Sequence, residues 1–193
     1  MVQLFRQSLA GLKLLIILTV LLGALYPLAV TGIGTLVAHH QATGSPVVVD
    51  GKVVGSSLIG QQFTGTQWFW PRPSAAGDDG YDATSSGGSN LAAGSPELLQ
   101  QVEQRRRQIA RVNGVRPDQV PPDAVTASAS GLDPHISPAY AAIQVDRVAA
   151  ARGLDPAVVR RLVAEHTQGR TLGFLGEPRV NVLELNAALA RLT

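Results

Sequence analysis

The chain has 193 residues, 16 Lys and Arg against 14 Asp and Glu, and no Cys. That length allows one domain with an appendage, and the missing Cys excludes disulfide stapling and thiolate chemistry. The surplus of positive charge resides in Arg6 and Lys13, so from His39 onward 14 basic side chains balance 14 acidic ones and no net basic field exists to draw nucleic acid.

The first predicted element is Leu14–Ala38, 25 residues without a charge. As a helix it would measure about 37 Å, against about 30 Å of bilayer hydrocarbon. A cleaved signal peptide would have a shorter apolar run and small residues at its exit, which reads Leu36-Val37-Ala38-His39. The expectation is a permanent anchor. Arg6 and Lys13 precede it, and the next Lys or Arg is Lys52, so the positive-inside rule puts the N-terminus in the cytoplasm. Residues 1–13 are then cytoplasmic, 14–38 cross the bilayer of the cell (inner) membrane once, and 39–193 form the extracytoplasmic domain. Within the span, Thr19, Gly23, Pro27, Thr31, Gly34 and Ala38 recur every three or four residues. Small residues on one stripe permit close helix approach in lipid, so these six are candidate packing positions. Pro27 should bend the helix or free a carbonyl.

In the outer domain, Asp50-Gly51 between two Val-rich runs predicts a hairpin. Thr66–Trp70 and Ala124–Ser130 alternate like strands, while Gly77–Gly94 reads as loop. Three helices should open with one device, Ser95-Pro96, Ser137-Pro138 and Asp155-Pro156, an N-cap oxygen followed by Pro at the first helical position. They should stop at Gly114, at Gly153 and near Gly169. A fourth should begin at Asn181, with Glu184 completing a capping box, and place Leu185, Leu189 and Leu192 on one side. Strands and helices without regular β-α alternation predict an α+β fold. The fold class expected is a single N-terminal transmembrane helix followed by an α+β extracytoplasmic domain.

Catalytic patterns are missing. There is no G-x-S-x-G elbow, and Ser137, near Asp133 and His135, is better used as an N-cap. No two His share an i,i+4 spacing, and Asp78–Asp82 lacks the alternating oxygens of a calcium loop. No phosphate-binding glycine motif occurs. Arg105-Arg106-Arg107 reads as a solvated helix face, with Glu103 pairing to Arg106 or Arg107. No residue is therefore assigned to catalysis, cofactor or metal.

Aromatic residues gather instead. Trp68, Phe69 and Trp70 lead into Pro71-Arg72-Pro73 and then into a Gly-Ser arm with Ser85, Gly87, Gly88 and Asn90. On a strand, Trp68 and Trp70 would share one face and Phe69 the other. Arg72, on a stiff extended backbone, is placed to donate to the following loop. These eight residues are candidates for partner contact or loop ordering. An alternative is a membrane-anchored module for cell-wall or sugar ligands, using the aromatic faces for stacking. A hydrolase built on Ser137 or His135 is a more distant one.

Six phrases carry a resemblance: GSSLIGQQF (Gly55–Phe63), WFWPRPSA (Trp68–Ala75), SSGGSNLAAGSPEL (Ser85–Leu98), VTASASGLDPHIS (Val125–Ser137), RVAAARGL (Arg147–Leu154) and VNVLELNAAL (Val180–Leu189). In this order they resemble the C subunit of bacterial Kdp-type potassium-transporting ATPases. The likeness runs from Tyr26-Pro27 to the C-terminus. It departs where Trp68 replaces a usual Tyr or Phe and Ser95 a usual Asn, swaps that keep aromatic packing and N-capping. The resemblance implies an accessory, non-enzymatic subunit. Its partners would be a channel-like potassium-binding subunit, a P-type ATPase subunit and a small single-span subunit, all in the lipid bilayer. It implies a catalytic chaperone that raises the ATPase subunit's affinity for ATP. ATP and potassium are then handled by the complex, and with only 13 residues in the cytoplasm the effect on ATP should be indirect.

Overall fold

The computed structural model describes residues 1–192, and the chain divides into two compact units, Met1–Ser45 and the remainder from Pro46.

The first unit is helical. Helix α1 (Val2–Val20) runs into a wide π turn (Leu21–Leu25) and then α2 (Tyr26–Val37). Together they make one helix long and apolar enough to cross a membrane. Pro27 has no N–H to give to the preceding turn. The backbone answers by widening, and the Tyr26 N–H reaches back five residues to the Leu21 carbonyl. Ala38 leaves helical geometry (φ −141°, ψ 54°) before the short α3 (His39–Ala42). Of the six stripe positions, Gly34 and Ala38 are half-buried within this unit and the others are exposed.

The second unit mixes helices with two small sheets. Strands β1 (Pro46–Val49) and β2 (Lys52–Ser56) form the expected hairpin, with Asp50 and Gly51 both at positive φ (50° and 76°) as a type I′ turn requires. Helix α4 (Pro96–Asn113) begins where Ser95 Oγ accepts from the Leu98 N–H, at 3.4 Å. Helix α5 (Pro138–Arg152) begins where Ser137 Oγ accepts from the Tyr140 N–H, at 3.0 Å. Gly114 and Gly153 end these helices, each at φ 66°. Helix α6 (Pro156–Glu165) is capped by Asp155, and α7 (Val182–Ala190) by Asn181, whose Oδ1 accepts from the Glu184 N–H. A three-stranded antiparallel sheet sets β5 (Arg179–Asn181) between β3 (His135–Ile136) and β4 (Thr167–Gln168). The core joins Phe69, Tyr140, Val148, Val180, Leu185 and Leu189, all essentially inaccessible to solvent.

Four expectations are corrected. Thr66–Trp70 pairs with no strand, for reasons given below. Ala124–Ser130 is irregular: Arg105 and Arg72 take the carbonyls of Val125 and Thr126 that a ladder would have used. Helix α6 ends at Glu165 rather than near Gly169, because Thr167–Gln168 pairs with β5. Leu192 lies beyond the end of α7 and is exposed.

Candidate functional site

The aromatic segment is extended, and its backbone is held by side chains from two helices and by Trp70 itself. Six successive carbonyls from Gly65 to Trp70 each accept a side-chain N–H. Trp70 Nε1 donates to the Gly65 carbonyl at 2.8 Å, and Arg147 Nη1 donates to the carbonyls of Thr66 and Trp68 at 2.5 and 3.0 Å. Arg152 Nε donates to the Gln67 carbonyl at 2.8 Å. Two buried amides then imitate a neighbouring strand. Asn186 accepts from the Phe69 N–H and donates to the Phe69 carbonyl, both at 2.9 Å. Gln144 does the same for Trp70, at 2.7 and 3.2 Å. A buried backbone group must find a partner, and here the side chains of α5 and α7 replace a ladder.

Side-chain placement follows. Phe69 is fully buried, whereas Trp68 and Trp70 lie half-buried on the other side, so the expected alternation holds without a strand. The Arg147 guanidinium stands 4.5 Å from the Trp70 ring centroid, and that of Arg152 stands 4.3 Å from Trp68. One face of each indole is therefore covered. Phe63 packs against Trp68 at 6.1 Å between centroids. Arg147 is nine-tenths buried, and among the described residues no carboxylate pairs with it. Carbonyl and amide oxygens solvate it instead, including Asn113 Oδ1 at 2.9 Å and Gln144 Oε1 at 2.7 Å. Burial pulls its pKa down to about 10, which leaves it charged at neutral pH.

Arg72 reaches across the domain rather than into the following loop. Its Nη1 pairs with Asp133 Oδ2 at 3.0 Å, and Nη2 donates to the Thr126 carbonyl at 3.5 Å. The following loop reaches back to it: Tyr81, at φ 59°, donates its hydroxyl to the Arg72 carbonyl at 2.6 Å. Burial, then the Asp133 charge, raises the Tyr81 pKa despite Arg72. Burial also raises that of Asp133, but hydrogen bonds from His135 and the charge of Arg72 outweigh it and leave the carboxyl below its usual range. Ser74 is the hub of the turn. Its Oγ donates to the Gly131 carbonyl at 2.6 Å and accepts from the N–H groups of Ala76 and Tyr81.

The Gly-Ser arm lies along residues 128–131. Gly87 N–H and Ser86 Oγ both donate to the Ser130 carbonyl, at 2.9 and 3.0 Å. Gly88 passes so close to Ala129 that a Cβ there would stand 3.1 Å from its carbonyl oxygen. At Gly131 (φ 66°) an added Cβ would come within 2.7 Å of Ala76 and of the Gly87 carbonyl, so only glycine fits. Ser85 and Asn90 are exposed on the arm. The structure thus gathers Trp68, Phe69, Trp70 and Arg72 into one scaffold, with Gly87 and Gly88 tied to its rim.

Sequence reading missed the residues that hold the scaffold, Asn113, Gln144, Arg147, Arg152 and Asn186. A signal existed: Gln144 and Arg147 interrupt an Ala- and Val-rich helix at i,i+3 spacing, and Asn186 sits among leucines. Arg105 was placed on a solvated face. It is half-buried and donates to the Val125 carbonyl at 3.2 Å, while Arg107 takes the expected pair with Glu103 at 2.9 Å. Ser137 serves as the N-cap expected, its hydroxyl donating to Asp123 Oδ1 at 2.9 Å. Beside the scaffold lies a cleft of about 290 Å³ whose walls include Trp70, Arg72, Tyr81, Arg105 and Tyr140. The terminal nitrogens of its two guanidiniums donate to backbone and side-chain oxygens, while the buried Arg72 Nε has no hydrogen-bond partner among the described residues. Among the described residues, the walls of this cleft pair no nucleophile with a base.

Comparison with known proteins identifies the chain's relatives. The family described as KdpC, K+-transporting ATPase, c chain, matches residues 8–191. A potassium-transporting ATPase KdpC subunit from Kineococcus radiotolerans is 61% identical over 97% of this chain and 94% of its own length. The Nitratidesulfovibrio vulgaris KdpC subunit is 54% identical over 98% and 94%. That of Mycobacterium tuberculosis is 52% identical over 97% and 99%.

Proposed function

The chain belongs to the KdpC family of K+-transporting ATPase c chains, and we propose that it is a non-catalytic, single-pass accessory subunit that assembles and stabilises such a complex. In this reading the N-terminus is cytoplasmic and the second unit is extracytoplasmic, since Arg6 and Lys13 precede the apolar helix and no Lys or Arg follows before Lys52. Its partners are a channel-like potassium-binding subunit, a P-type ATPase subunit and a small single-span subunit. The observation that carries the proposal is the scaffold: every carbonyl from Gly65 to Trp70 is bound internally, which suits a rigid docking body rather than a reacting centre.

The subunit acts as a catalytic chaperone by favouring one conformation of the complex, and ATP affinity rises by linkage. ATP and potassium are bound by the partner subunits. Titrating ATP against complexes purified with and without this chain tests the idea. Several-fold weaker ATP affinity without it is expected, and equal affinity refutes the chaperone role. Protease added to sealed right-side-out vesicles should digest the second unit; protection would reverse the topology and reopen direct nucleotide contact. Trp70→Ala and Arg72→Ala should weaken assembly or potassium-stimulated ATP hydrolysis, and wild-type values for both would remove the scaffold from the function.

A further inference from the structure

The turn between β4 and β5 departs from the economy of the rest of the second unit. Thr171 and Leu175 bridge each other, with Thr171 N–H to the Leu175 carbonyl and Leu175 N–H to the Thr171 carbonyl both at 2.9 Å. Between them, Leu172 (φ 54°) and Gly173 (φ 83°) adopt left-handed backbone. A bulky residue rarely occupies that region, and it persists there only where the surrounding structure over-determines the backbone. Here the side chain is not buried. Leu172 is 80% exposed, Phe174 69% and Leu175 49%. Backbone strain and exposed apolar surface thus coincide at one tip, and the turn is held by backbone hydrogen bonds rather than by burial of Leu172 or Phe174.

The chemistry of the tip selects its occupant. Arg170 and Glu177 flank it and pair with each other at 2.7 Å, so the rim is polar but neutral. An anionic membrane surface recruits unpaired basic residues, and the Arg170 charge is already engaged. A fluid bilayer also has no use for a turn pinned by two backbone hydrogen bonds, whereas a shaped pocket does, because pre-organisation lowers the ordering cost of docking. An aromatic and aliphatic centre inside a neutral polar rim is the composition of a protein–protein anchor. The family places this chain in a multi-subunit transporter. We propose that the Leu172–Leu175 tip docks into an apolar, uncharged pocket on another subunit of that complex. The proposal rests on the assembly reading above.

The test uses the full complex in native membranes. Phe174→p-benzoylphenylalanine should give, on illumination, a covalent adduct with another subunit, and Gln104→p-benzoylphenylalanine on the exposed face of α4 should give much less. Lipid adducts alone, or none, in a complex that co-purifies intact would overturn the tip proposal and leave the assembly reading standing. A wild-type chain that co-purifies with no other subunit would overturn both. In parallel, the double variant Leu172→Ser, Phe174→Ser should melt like wild type, since neither side chain is buried. It should lose its place in the complex at a detergent concentration several-fold lower. Retention equal to wild type would also overturn the proposal.

Discussion

The hairpin Pro46–Ser56 and the segment Gly65–Trp70 are both extended, but they are held by opposite means. In the hairpin the two strands pair with each other along a ladder, and the carbonyls of Val48 and Val54 also accept from Arg191 and Gln61. In the aromatic segment no strand pairs with the backbone, and the carbonyls are met by Trp70 itself and by Arg147, Arg152, Gln144 and Asn186 from far along the chain. A backbone ladder tolerates exchange of side chains, because the bonds belong to every residue alike. A side-chain cradle depends on particular residues, because no other group can make those bonds.

This contrast can be broken most directly at Arg147. Arg147→Met would orphan the carbonyls of Thr66 and Trp68 together with Asn113 Oδ1. Hydrogen bonds from a charged donor are the strong kind, so a loss of about 3–5 kcal/mol is expected, read from urea unfolding of the full chain in detergent. A loss below about 1 kcal/mol would mean that the cradle is incidental. Asn186→Leu keeps the branched shape but leaves the Phe69 N–H and carbonyl unpaired, with an expected cost of about 2–3 kcal/mol in the same measurement.

The rim of the scaffold supplies a smaller, pH-dependent effect. The Asp133 carboxyl lies below its unfolded value of about 3.9, so its stabilising contribution is complete above that pH. It is lost as pH falls through the folded value. Melting followed from pH 6 to pH 2 should show that decline, and Asp133→Asn should be flatter over the acid part of the range. The smallest effect belongs to the hairpin. Lys52→Thr, on an exposed strand position, should change stability by no more than about 0.5 kcal/mol. A larger change there would erase the distinction between ladder and cradle.

The same contrast explains what could be read from the sequence. Ser95-Pro96, Ser137-Pro138 and Asp155-Pro156 announced helices because a cap is a bond between residues two or three apart. Asp50-Gly51 announced its hairpin for an equally local reason. The cradle was hidden because its bonds from α5 and α7 join residues 74 to 117 positions apart, and nothing local at Gln144 or Asn186 states which backbone they meet. Arg105 was misread similarly: in sequence it belongs to a run of three arginines, whereas in space it fastens the Val125 carbonyl. The aromatic cluster and Arg72 were legible as candidates by composition, but their hydrogen-bond partners were not.

The wide turn at Leu21–Leu25 has a consequence for rotational phase. In a uniform α-helix each residue advances about 100°, so relative to Thr19 the positions Pro27, Thr31 and Gly34 would sit about 80°, 120° and 60° around the axis. A π turn absorbs one extra residue, which sets everything beyond it back by about one residue's rotation. Pro27, Thr31 and Gly34 then fall within about 40° of Thr19, on either side of it. A pattern that drifts when counted along the sequence is gathered by one irregular turn into a seam running nearly parallel to the helix axis.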